Sequence, residues 1–223
     1  MQLLSMQFTI TIIIVIITCL VSIGGFNNYK IIEDLIFYPP AITKRNQWYR
    51  FFSCGLIHAD PGHLIFNMIA LYLFGRSVEA QFVDIFNDKG KAFYLLMYVL
   101  ALAVSLLPTF FRNKDNYHYR SLGASGAVSA VIFAGLLIAP YQEVFIFFIP
   151  IGIPGFIFAP LYLFISVLMQ RRGGDNVNHS AHIWGALFGL AFVIIVGKLV
   201  ADFDAISYCI RAIKYYMEMK GWG

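Results

Sequence analysis

Six apolar runs, at residues 8–24, 63–81, 92–111, 125–139, 156–169 and 181–200, leave this chain few ways to fold. A helix of about 20 apolar residues crosses a bilayer. In hydrocarbon, backbone N–H and C=O groups must be satisfied within the protein, so each run reads as a helix. Of the 223 residues 60% are hydrophobic and only 13% charged, unlike an ordinary soluble domain. The expected fold is all-α: one multi-pass membrane domain over residues 1–223, with six helices in one bundle and no appended soluble domain. The leader at 1–7 has no Lys or Arg, and no clean small-x-small site follows the first run. That favours an uncleaved span over a signal peptide. Cys19, Cys54 and Cys209 are too scattered for a disulfide framework or a metal knuckle. A formal charge of +4, with no basic stripe interleaved with aromatics, suits a lipid surface and not nucleic acid.

The fourth run differs from the others. From Ser125 to the stop at Pro140 it has 15 residues, about 22 Å of helix, against a hydrocarbon core of about 30 Å. If its Pro140 end reaches one surface, Ser125 lies inside the membrane, where a helix start survives only beside protein or a water-filled cavity. A hydroxyl, free helix-start N–H groups and trapped water are the parts of an acyl-transfer site.

The connection at 25–62 is long and apolar, with Trp48 and Tyr49, and is expected to fold on itself at the membrane interface. Asp60-Pro61-Gly62 starts the second helix, on which His63 and Asn67 share a face. The turn at 87–90 precedes the third helix. The stretch at 144–149 is too short to span and is broken by Pro150 and Pro154. In the tail at 201–223, Ile206, Ile210, Ile213 and Met217 recur at helical spacing and Trp222 follows, as in an amphipathic helix lying on a membrane.

Four of the five histidines, at 58, 63, 118, 179 and 182, fall where spans begin. His182 shares a face with Gly185 and Gly189, a small-xxx-small surface that lets another helix come close. Small residues also follow Ser125. Packing these two faces would bring the imidazole to the hydroxyl, which needs a base to lose its proton. No Asp or Glu lies in the sixth run, so a Ser–His dyad is expected, without a third member. Two other readings stand beside it. Gly-Ala-Ser-Gly could be helix-packing material, leaving a protein that binds transmembrane helices without cutting them. His58 with His63, and His179 with His182, could serve a metal or solute transporter.

Several motifs, in one order, resemble the rhomboid intramembrane serine proteases. These are Gln47-Trp48-Tyr49-Arg50, His58 with His63-Leu-Ile-Phe-Asn67, then Gly75 and Glu79, then Gly123-Ala124-Ser125-Gly126, and finally Ala181-His182-Ile-Trp-Gly185 with Gly189. The similarity runs over about 47–200. It implies a six-span rhomboid-like bundle that cleaves transmembrane segments of other membrane proteins and needs no cofactor or metal. Ser125 would be the nucleophile and His182 the base. His63, Asn67 and the Ser125 N–H would form an oxyanion hole. Trp48, Arg50 and Glu79 would support the first loop, and Gly185 and Gly189 the helix packing. The site would open to the non-cytoplasmic side of the cell (inner) membrane, although the loop Lys and Arg residues slightly favour the opposite orientation. Ser129 stands where some members carry a Tyr that stacks on the catalytic histidine, so something else must orient His182.

Overall fold

The computed structural model describes residues 9–145, 151–175 and 177–222. The leader at 1–7 with Phe8, and most of the apolar stretch at 144–149, lie outside the described residues. The helices are α1 (Ile10–Asn27), α2 (Tyr29–Leu35), α3 (Pro39–Arg45), α4 (Arg50–Ser53), α5 (Pro61–Phe86), α6 (Gly90–Val104), α7 (Leu107–Asn113), α8 (Ser125–Ile138), α9 (Gly155–Arg172), α10 (His179–Ala201) and α11 (Ala205–Met219). Single 3₁₀ turns at Cys54–Leu56 and Asn87–Lys89 lead into α5 and α6. The segments Ile10–Asn27, Pro61–Asn113 and His179–Ala201 are long and apolar enough to cross a membrane, while α8 is a shorter apolar helix.

α8 is the hub. Almost every residue from Gly126 to Ile138 is buried, and α5, α6, α9 and α10 pack around it. Ala127, Ala130, Val131 and Ala134 of α8 meet Leu71, Val78 and Phe82 of α5, Tyr94 and Met97 of α6, and Phe192 and Val193 of α10 in one core. The α8–α10 contact is backbone against backbone. A methyl group at Gly185 would overlap the carbonyl of Gly126, and one at Gly189 the carbonyl of Ala130. Outward faces stay apolar, as Ile16, Ile17 and Leu20 on α1 and Phe66, Ile69 and Leu73 on α5 illustrate, which suits lipid and not water.

Two features differ from the expectation and one agrees with it. The third run breaks at Ser105-Leu106, because Pro108 has no N–H for the carbonyl one turn back. Beyond α8, the protein is not wholly helical. β1 (Glu143–Phe145) and β2 (Gly152–Pro154) pair antiparallel, with Val144 opposite Ile153. The connection at 25–62 does fold on itself, into α2, α3 and α4, but Tyr38 and the Pro pair that opens α3 set its shape.

Candidate active site

Four hydrogen bonds fix the segment entering α8. Ser121 and Phe37 exchange two backbone bonds, of 3.0 and 3.1 Å. The Gly123 N–H donates to the Cys54 carbonyl at 2.9 Å, and the Ala124 N–H donates to His58 Nε2 at 3.4 Å. Across the ring, His58 Nδ1 lies 3.0 Å from Ser22 Oγ, whose own proton goes to the Leu56 carbonyl at 2.9 Å. Ser22 is therefore an acceptor for an Nδ1–H, which leaves Nε2 unprotonated to receive Ala124. Burial, with His63 beside it, pushes His58 down to about 3, so the ring stays neutral and this tautomer is kept. Gly123 has φ +112°, and a methyl there would lie 2.7 Å from His63 Cε1. Only glycine meets both demands. Ser125 then opens α8, half-buried, and its N–H, as the first of a helix, has no helical acceptor.

The start of α10 is tied to the same segment. Asn178 caps it, its Oδ1 accepting the Ala181 N–H at 3.1 Å and the Thr109 hydroxyl proton at 3.2 Å. Its Nδ2 donates to Ser121 Oγ at 3.4 Å. One side chain thus joins α7, α10 and the approach to Ser125. A methyl on Gly126 would come within 3.3 Å of the Ala181 carbonyl, so the residues next to Ser125 and His182 are neighbours. Ser125 and His182 both line a cavity of about 880 Å³, as do His63 and Asn67. The His63 ring stands edge-on to His58, centroids 4.9 Å apart. Asn67 is buried and uses one amide N–H on the His63 carbonyl of its own helix, at 3.0 Å. Among the described residues no three His, Cys, Asp or Glu side chains converge as a metal site.

Residues 45–199 match the family model of the Rhomboid domain. This chain belongs to the rhomboid family. The resemblance read from its motifs holds, and with the apolar helices it makes the protein an integral membrane protein. It is 32% identical over 138 residues to RHOMBOID-like protein 12, mitochondrial, of Arabidopsis thaliana, covering 58% of this chain and 40% of that protein. It is 28% identical over 200 residues to Rhomboid protease GlpG of Haemophilus influenzae, covering 88% of this chain and 95% of the relative. It is 26% identical over 167 residues to Rhomboid protease GluP of Bacillus subtilis, of which it covers 29%. The chain therefore matches nearly all of one relative but less than half of the other two.

The remaining rhomboid motif residues divide by location. Arg50 is buried against the first connection. It donates from Nη1 to the Glu33 and Ile36 carbonyls at 2.9 and 2.7 Å, and from Nε to Gln47 Oε1 at 2.6 Å. Trp48 is exposed and stacks on Phe51, centroids 6.1 Å apart, with Phe110 beyond. Glu79 differs from what the resemblance implied. Its carboxylate accepts the N–H groups of Ile10 and Thr11 at 2.9 and 3.0 Å and the Thr11 hydroxyl at 2.9 Å. A negative charge belongs at a helix N-terminus, so it anchors the start of α1 and not the loop after it. Ser129 is buried, with its Oγ 3.5 Å from the hydroxyl of Tyr162 on α9, which also lines the cavity. A phenol thus reaches this region of the rhomboid from another helix. The sequence reading missed Tyr162 and Asn178, because neither belongs to a local pattern.

Proposed function

We propose that this rhomboid is an intramembrane serine endopeptidase that cleaves transmembrane segments of other membrane proteins within the bilayer. Ser125 is the nucleophile and His182 the general base. Ser125 Oγ attacks the scissile carbonyl carbon as its proton passes to His182, and the imidazolium then gives a proton to the departing amine nitrogen. The negative charge formed on the carbonyl oxygen is met by the Ser125 N–H, His63 and the second amide N–H of Asn67. The observation that carries this reading is the shared cavity of Ser125 and His182 at the closest α8–α10 approach. The relatives named as proteases support the reaction class. Six spans, and a site open to the non-cytoplasmic side of the cell membrane, belong to the same proposal.

The test is labelling of the purified protein by a serine-directed mechanism-based inhibitor. The adduct should map to Ser125, be lost in His182→Ala and largely survive in His179→Ala. An adduct on Ser121 or Ser129, or the opposite histidine pattern, would refute the assignment.

Asn67→Ala tests the oxyanion hole separately. Loss of one such donor typically costs about 10²–10³ in rate. Base and nucleophile remain, so cleavage should slow by about that factor while Ser125 still reacts with the inhibitor. Melting temperature and cleavage rate should be measured on one sample. A large loss of stability with an unaltered rate would reduce Asn67 to helix-packing glue.

A further inference from the structure

His182 has a second imidazole beside it, and that imidazole is paired with an exposed carboxylate. Asp175 Oδ2 lies 2.9 Å from His179 Nε2, so the two form an i,i+4 pair at the mouth of α10. The His179 ring stands edge-on to the His182 ring, centroids 6.0 Å apart. Asp175 itself lines the cavity that holds Ser125 and His182. The sixth apolar run has no carboxylate, yet the fold brings one to it from the preceding loop. Resting on the serine-protease reading, we propose that Asp175, held in place by His179, is a positioning residue that stabilises the imidazolium formed on His182.

The chemistry is electrostatic and moves no additional proton. When Ser125 Oγ bonds to the carbonyl carbon, its proton goes to His182 and the ring becomes a cation in a largely apolar site. Asp175 is an anion whose carboxyl the His179 hydrogen bond holds below the usual carboxylate range. The Asp175 carboxylate thus places a negative charge at the cavity in which the new cation forms. The other titratable or charged groups lining the cavity are Cys54 ahead of α5, His63 and Asp60 at the start of α5, His118, Tyr119 and Arg120 before the nucleophile, and Tyr162 on α9. Asp60 is occupied in capping α5 through the His63 N–H at 2.9 Å. Asp175 accepts the Val177 N–H through Oδ1 at 3.3 Å and holds His179 through Oδ2, so both contacts fix it in the loop that leads into the base's own helix.

The experiment is the pH profile of kcat/KM for the full chain in detergent, with a model single-span substrate, for wild type, Asp175→Asn, His179→Gln and Ser125→Ala. Activity rises with pH as His182 loses its proton. Without the Asp175 charge the imidazolium is less stable, so Asp175→Asn should move the acidic limb down by about half a pH unit. A weaker base should also lower the plateau about two- to fivefold. His179→Gln keeps a donor for the carboxylate, so its acidic limb should lie closer to wild type than that of Asp175→Asn. An unshifted limb in Asp175→Asn, whether the plateau holds or falls, would overturn the proposal, because a purely structural loss lowers the plateau without moving the limb. Cleavage that persists in Ser125→Ala would instead refute the serine-protease reading, and the proposal with it.

Discussion

Ser125→Ala should abolish cleavage and leave the fold untouched. Removing the nucleophile of a serine hydrolase typically lowers turnover by about 10⁴–10⁶. Little opposes this on the stability side. Ser125 is half-buried at the first position of α8, and among the described residues no side-chain hydrogen bond holds its hydroxyl. Alanine is at least as good a helix former there, and such substitutions usually stay within about 0.5 kcal/mol. Substrate cleavage and melting temperature, read on the same preparation, check both halves. Full activity in Ser125→Ala would end the proposal, and a collapsed melting temperature would show that the hydroxyl is structural.

The second large effect should come from a residue with no side chain. Gly185→Val places its Cβ 2.0 Å from the Gly126 carbonyl oxygen, with two further methyl groups to house beside it. A backbone atom cannot rotate away as a side-chain tip can, so α8 and α10 must separate. Overpacking of a well-fitted site typically costs about 1–3 kcal/mol, and this clash is with main chain on a buried helix, so the upper end or failure to fold is expected. Any folded fraction should be inactive, since Ser125 and His182 ride on the two helices being forced apart. Gly24→Ala is the control, because a methyl there meets only Ile31 Cδ1 at 3.4 Å. Detergent-soluble yield and melting temperature read the result. A Gly185→Val protein with wild-type melting and activity would show that the helices do not pack as described.

The candidate site was legible where its signal was local. Ser125 was marked by a run too short to span, and α8 does start there. The His182, Gly185 and Gly189 face was marked by helical spacing, and those glycines do meet α8. What escaped was set by distance along the chain. Nothing near His58 says that its ring receives the Ala124 N–H, 66 positions away, or that Ser22 on α1 fixes its tautomer. Asp175 and His179 are visible as an i,i+4 pair, yet only the fold brings Asp175 to the cavity of Ser125. The break before α7 could have been read from Pro108, since an apolar run hides a helix interruption but a proline does not. Glu79 shows a different limit. A motif can mark the right residue and still not say which helix its carboxylate meets.

The docking of α10 on α8 has a consequence for how such a protein comes into being. A polypeptide reaches the membrane from its N-terminus onward. Ser125 is synthesised 57 residues before His182, counting from one position to the other. Throughout that interval the growing chain carries the hydroxyl without the imidazole, and α8 without the glycine face that seats against it. Under the proposed mechanism a half-made chain is unarmed, and competence to cut arrives in one step when the final long apolar helix inserts. Premature termination anywhere before α10 would then yield a harmless fragment, not an unregulated protease.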